Sequence, residues 1–275
     1  MKDYSFFSGG NMKTRVISAL AVAAIAIPFI YFGGPFFVIA IGVISILGFI
    51  EVLNLPKSHS SLPIVPTILA LIAMLVLICT NFDGNNLVYG ATYARLIYLV
   101  LGLLIPTLFY KNNEYTTKDA FYLMGAVLFL GLAFNSLIVV RDKGLPFFIY
   151  LILIPICTDS FAMIFGCLFG KHKMCPKISP KKSWEGAVYG LALGTIIPVI
   201  FYQIFINPIT WKIVLGSLLL SVAGQFGDLI FSKIKRENEI KDFSNIIPGH
   251  GGILDRLDSV IAVFLTYIFL TTILF

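Results

Sequence analysis

Nine stretches of about 20 largely apolar residues follow one another along this chain, and that succession limits the fold more than any other feature. They lie near 15–33, 35–53, 62–80, 92–109, 119–140, 146–170, 185–206, 212–232 and 256–275. Each is long enough to cross the hydrocarbon core of a bilayer as a helix. Composition agrees, because only 12% of the 275 residues are charged and 58% are hydrophobic, whereas a soluble domain carries about 25% charged residues. The expected fold is an all-α integral membrane protein, a polytopic bundle of about nine transmembrane helices, with residues 1–275 as one membrane domain. Gly33-Gly34-Pro35 reads as a tight turn between the first two spans, since proline cannot continue a helix and glycine permits a reversal. The first apolar run lacks a small-residue cleavage site followed by a soluble chain, and is expected to be a retained anchor.

The basic residues set an orientation. With the N-terminus in the cytoplasm, Arg95, Arg141, Lys143 and Lys212 fall outside, and the other sixteen of the 20 lysines and arginines fall inside. By the positive-inside rule the chain lies in the cell (inner) membrane with its N-terminus cytoplasmic and its C-terminus outside. The net charge of +6 is thereby accounted for by topology and anionic substrates, and nucleic acid is not an expected partner. The four cysteines include no CxxC pair, so free thiols are expected and a structural zinc is not.

Residues 1–145 read as scaffold helices, and 146–275 as catalytic helices and cytoplasmic loops, because the polar intramembrane residues gather in spans six to nine. A carboxylate at the centre of a spanning helix costs at least ~2.5 kcal/mol, and for that reason usually marks a site. Asp228 is one such acid, and helical spacing puts Ser232 and Lys235 on its face. The plain structural alternative is an acid neutralised by Lys235, although such a pair adds little stability. Asp255 and Asp258 are three residues apart on the last span. Favourable placement in a helix's first turn explains one acid, whereas two carboxylates converging on Mg²⁺ explain both.

The turn Pro248-Gly249-His250-Gly251-Gly252 precedes that helix, where glycine N–H groups and the helix dipole suit an anion. His250 is placed to bond phosphate or to assist a leaving group, with packing or capping as the alternative. A second constellation runs from Asp159, which follows Pro155 in span six, through Lys171 to Ser179-Pro180-Lys181-Lys182-Ser183-Trp184-Glu185-Gly186. Its lysines either set topology alone or act as point charges for phosphate.

These residues resemble the phosphatidate cytidylyltransferases, also called CDP-diacylglycerol synthases. The resemblance rests on Ser232-Lys233-Ile234-Lys235-Arg236, Lys241-Asp242, Ser244, Pro248, His250-Gly251-Gly252 and Asp255-Arg256-Leu257-Asp258, and on the run from Asp159 to Gly186. Ser183 stands where the family usually has threonine, which keeps the hydroxyl. Together the two regions cover about a quarter of the chain.

The resemblance implies transfer of a cytidylyl group from CTP to phosphatidate, giving CDP-diacylglycerol and diphosphate, with Mg²⁺ as cofactor. It implies Asp228 and Asp255 as Mg²⁺ ligands, and Asp258 as a helper acting through water or by orienting Arg256. Lys233, Lys235, Arg236 and Lys241 would neutralise the triphosphate. Lys171, Lys181, Lys182 and Ser183, with Asp159, Gly251 and Gly252, would contact nucleotide or lipid phosphate. The expected partners are CTP, phosphatidate and membrane lipid. A homodimer and a second, monovalent cation are left open by the sequence.

Two rival functions account for part of the pattern. A cation transporter explains acids in the membrane but normally shows repeats with interrupted helices in both halves. A CTP-dependent polyprenol kinase would release CDP in place of diphosphate.

Overall fold

The structure is a computed structural model that describes residues 10–56, 62–79, 87–111, 114–249 and 251–274. Nine α-helices occur among the described residues: α1 Gly10–Phe32, α2 Gly34–Leu53, α3 Ile64–Ile78, α4 Leu87–Leu104, α5 Thr117–Asp142, α6 Leu145–Phe169, α7 Trp184–Phe205, α8 Trp211–Glu237 and α9 Leu254–Thr271. The chain is an all-α polytopic membrane protein. Helices α2, α5, α6, α7 and α8 are each long and apolar enough to cross a bilayer, and shorter apolar stretches occupy Leu20–Phe32, Ile64–Ile78 and Ala94–Leu108.

Helix α5 is the central post. Its most apolar 18-residue window is 72% buried, against 33–44% for the other four. It begins at a capping box in which the Thr116 side chain accepts from the Asp119 N–H while Asp119 accepts from the Thr116 N–H, satisfying donors at a helix start. At its far end Arg141 donates from Nε and Nη2 to the carbonyls of Ile30 and Tyr31, at 2.7 and 2.9 Å. This caps the end of α1 beside the Gly33-Gly34 turn, where both glycines have positive φ.

Helices α6 to α9 pack as a second group, and small residues decide how closely. A Cβ on Gly190 would lie 2.6 Å from the Thr158 carbonyl, and one on Gly186 2.9 Å from the Gly166 Cα. With Gly194 one turn on, α7 presents a small-residue stripe against which the α6 backbone seats directly. Hydroxyl pairs cross the same group: Tyr150 with Ser217 at 2.6 Å and Thr158 with Ser221 at 2.7 Å.

The link between α6 and α7 is a small antiparallel hairpin, β1 Lys173–Cys175 and β2 Ser179–Ser183, where the sequence suggests only a loop. Pro180 is tolerated because a two-stranded ribbon consists of edges.

Buried polar residues are not confined to spans six to nine, as the sequence leads one to expect. Asn135 on α5 donates to the carbonyls of Leu77 and Ile78 at the end of α3, and Glu51 on α2 is 1% exposed.

Candidate active site

Helices α6, α8 and α9 bring Asp159, Asp228 and Asp258 toward one another, and α9 adds Asp255 in its first turn. Gly227 permits this on α8, since a Cβ there would meet the Ala262 side chain and lie 2.8 Å from the Asp258 carbonyl. Asp228 is therefore held against the first turns of α9. On α6, Asp159 accepts from the Ser259 hydroxyl at 2.7 Å. Asp258, whose Oδ1 accepts from the Ser259 N–H, interacts electrostatically with both Asp228 and Asp159. Asp159 interacts likewise with Asp228 and Lys182. The counter-charge to Asp228 comes from the hairpin: Lys182 Nζ lies 2.6 Å from Asp228 Oδ2, and the two side chains are 26% and 27% exposed. That exposure leaves the pair accessible. Ser232, one turn along α8, donates to Asp228 Oδ1 at 3.3 Å.

Lys235 goes elsewhere. It is buried, with Nζ 2.6 Å from Asp255 Oδ1 and 5.5 Å from the Phe243 ring centroid. It thus joins the end of α8 to the start of α9 instead of neutralising Asp228, which the hairpin reaches first. Asp255 also accepts from the Phe243 and Gly252 N–H groups on Oδ2, at 2.8 and 2.9 Å.

From Gly251 to Leu254, the backbone donors already have acceptors. Gly251 exchanges both backbone bonds with Ile247. The Gly252 N–H goes to Asp255, and the N–H groups of Ile253 and Leu254 go to Glu51 at 2.7 and 2.9 Å. The expectation of N–H groups turned toward an anion is therefore not met here, because two protein carboxylates take the positive end of α9. His250 lies outside the described residues.

Glu51 escaped the sequence reading. The signal was there, because it is the only acid between residues 15 and 53, and an acid in an apolar run is a site hypothesis by default. What the sequence withheld was its partner, more than 200 residues away.

The remaining basic residues line the hairpin and the α8–α9 connection. Lys171, Lys181, Lys233, Arg236, Lys241 and Arg256 are exposed. Lys233 pairs with Glu237 at 3.6 Å. Arg236 donates to the carbonyls of Ile178 and Ile240, which fastens the hairpin to the end of α8. Ser183 is 3% exposed and caps α7 by accepting from the Gly186 N–H at 3.2 Å. Glu185 gathers the N–H groups of Lys171 and His172 and the His172 Nδ1, holding the hairpin's entry.

Among the described residues no three His, Cys, Asp or Glu side chains form a ready-made metal cage. Mg²⁺ seldom requires one, taking one or two carboxylates and filling its shell with water and phosphate oxygens. A carboxylate offers about four lone-pair sites. Asp228 uses two of them and is about a quarter exposed beside Lys182, and Asp255 uses three, with the Lys235 ammonium on Oδ1, so each keeps acceptor capacity. The residues present fit the ion.

Comparison with known proteins identifies a family. The profile of the Cytidylyltransferase family matches residues 13–274. A phosphatidate cytidylyltransferase of Staphylococcus haemolyticus is 34% identical over 249 residues, covering 90% of this chain and 94% of that protein. Those of Staphylococcus saprophyticus and Staphylococcus aureus are 33% and 30% identical, with the same coverage of both chains.

Proposed function

The chain belongs to the cytidylyltransferase family, and on that premise we propose that it is a phosphatidate cytidylyltransferase, joining CTP and phosphatidate to give CDP-diacylglycerol and diphosphate. The observation that carries the reading is the meeting of Asp159, Asp228 and Asp258 with Lys182 at one end of a membrane bundle. Acids and bases so placed suit a divalent ion and two phosphorylated partners.

The chemistry asks little of a nucleophile. An already ionised phosphate oxygen of phosphatidate attacks the α-phosphorus of CTP. A phosphorus–oxygen bond forms, the bond to the β-phosphate oxygen breaks, and diphosphate leaves with the electron pair. No proton need be removed first. The protein's work is to bring two polyanions together and to stabilise the departing charge.

Lys182, Lys181 and Lys171 on the hairpin and Lys233, Arg236, Lys241 and Arg256 beside it would neutralise the phosphates as they approach. Asp228 and Asp255 would hold Mg²⁺, with Asp258 and Asp159 beside them. When bound, the ion would supply charge neutralisation at the phosphates. Gly251 and Gly252 contribute through the close approach they allow. With the basic ends inside, this site faces the cytoplasm and the inner leaflet.

Purified protein in detergent, given CTP labelled at the α-phosphate together with phosphatidate, is expected to make lipid-linked label and release diphosphate, and to do so only with Mg²⁺. Release of CDP with phosphate on the lipid would point to kinase chemistry and overturn the reading.

A further inference from the structure

We propose that Glu51, on α2, is a positioning residue for this reaction, fixing the start of α9 and thereby the placement of Asp255 and Asp258. The inference rests on the function just proposed and names a determinant far outside the residues that carry the chemistry.

Glu51 is 1% exposed, and its two oxygens receive three donors. Oε1 takes the Ser244 hydroxyl at 2.6 Å and the Ile253 N–H at 2.7 Å, and Oε2 takes the Leu254 N–H at 2.9 Å. Ile253 is the N-cap of α9 and offers no side-chain cap of its own. The cap instead comes from another helix.

Asp255 interlocks with it residue by residue. Asp255 takes the N–H of Phe243, and Glu51 takes the hydroxyl of Ser244. Asp255 takes the N–H of Gly252, and Glu51 takes the next two. Two carboxylates thus pin both ends of the 243–254 loop.

The chemistry of the group matters as well as its shape. Three donors converge on it, and a carboxylate is acceptor-only with about four lone-pair sites. A glutamine in the same place would turn an NH₂ toward a backbone N–H. The negative charge is also offset by the positive end of α9.

Space around the carboxylate is equally specific. A Cβ on residue 252 would meet both Glu51 oxygens and lie 2.8 Å from the carboxyl carbon, so Gly252 leaves the room that Glu51 fills. One turn further along α9, the Asp258 backbone packs against Gly227, next to Asp228 on α8. A shift in the first turn of α9 would alter that spacing, and misplacement by 1 Å far from the chemistry can cost about 100-fold in rate.

The test compares kcat and KM of wild type, Glu51→Gln, Glu51→Ala, Gly252→Ala and the double variant Glu51→Ala/Gly252→Ala, with folded protein quantified by size exclusion and thermal unfolding in detergent. The expected result is a kcat about 100-fold lower for Glu51→Gln per folded molecule, with KM for CTP and phosphatidate nearly unchanged. Gly252→Ala should lose kcat in the wild-type background but lose nothing further in Glu51→Ala, the non-additivity of two groups sharing one contact.

Wild-type kcat in folded Glu51→Gln, or an equal Gly252→Ala loss in both backgrounds, would overturn the proposal. Where the Glu51 variants yield no folded protein, Ser244→Ala, which removes one donor to Glu51, decides together with Gly252→Ala, and wild-type kcat in both rejects the proposal. Absence of lipid-linked label with wild-type enzyme would count against the proposed function instead, so the two failures are distinguishable.

Discussion

Two sets of carboxylates stand at one end of this bundle, and they are built in opposite ways. Asp159, Asp228 and Asp258 come from three helices, face one another, and receive one or two donors each among the described contacts. Glu51 and Asp255 receive three each, are almost entirely buried, and have no acid among their hydrogen-bond partners in the described residues. In the first set Lys182 is the one ion-pair partner among the described residues, so the negative charge is only partly relieved, and Asp228 is about a quarter exposed. The second is largely satisfied by protein donors. The difference separates groups positioned to act from groups that fix where the others stand, and Asp255, with one acceptor site to spare, adjoins both.

The comparison is broken most directly at Asp228. Asp228→Asn is expected to abolish cytidylyl transfer, by about 1000-fold or more, as for loss of a central electrostatic group. Its thermal midpoint in detergent should hold or rise, because the substitution removes repulsion from Asp159 and Asp258. Substantial transfer by a folded Asp228→Asn protein would place the reacting centre elsewhere.

A stability contrast between the two lysines comes next. Lys235→Met strands the Asp255 charge in a buried setting and is expected to cost about 3–5 kcal/mol, read as a large fall in the unfolding midpoint. Lys182→Met breaks a pair about a quarter exposed on each side and should cost no more than about 1 kcal/mol. Its effect should appear in KM for CTP. Equal stability losses for the two would remove the distinction between the largely satisfied and the partly relieved set.

Much of this was legible in the chain. The apolar runs give the helices to within about five residues at their ends, because membrane thickness fixes a length that sequence can count. Gly33-Gly34-Pro35 gives its turn, and helical spacing correctly puts Ser232 within reach of Asp228. What sequence could not supply was partnership across distance. It offered Lys235 as the neighbour of Asp228 by spacing, while the hairpin, invisible in a lysine-rich segment with no alternation of apolar residues, delivers Lys182 instead. It showed Glu51 as a lone acid and gave no means of pairing it with Ile253 and Leu254. The glycine-rich turn offers donors for a ligand, but the Gly251 N–H goes to the Ile247 carbonyl and the Gly252 N–H to Asp255. Local pattern reports what a segment offers, but not which other segment has already accepted it.

The smallest expected effect sharpens the contrast from the surface side. Lys233 and Glu237 are one turn apart on α8, 3.6 Å from each other and more than half exposed. Such a pair contributes under about 0.5 kcal/mol, so Lys233→Ala should leave the unfolding midpoint nearly unchanged. If Lys233 serves only as part of the basic rim that draws in polyanions, KM for CTP should rise modestly at low salt. The difference should then vanish near about 1 M salt, where screening acts within about 3 Å. Lys182, half-sheltered against Asp228, should keep its effect under the same conditions. A Lys233→Ala defect that persists in high salt would move Lys233 from the rim into direct contact with substrate, and the boundary between acting and surrounding charges would have to be redrawn around it.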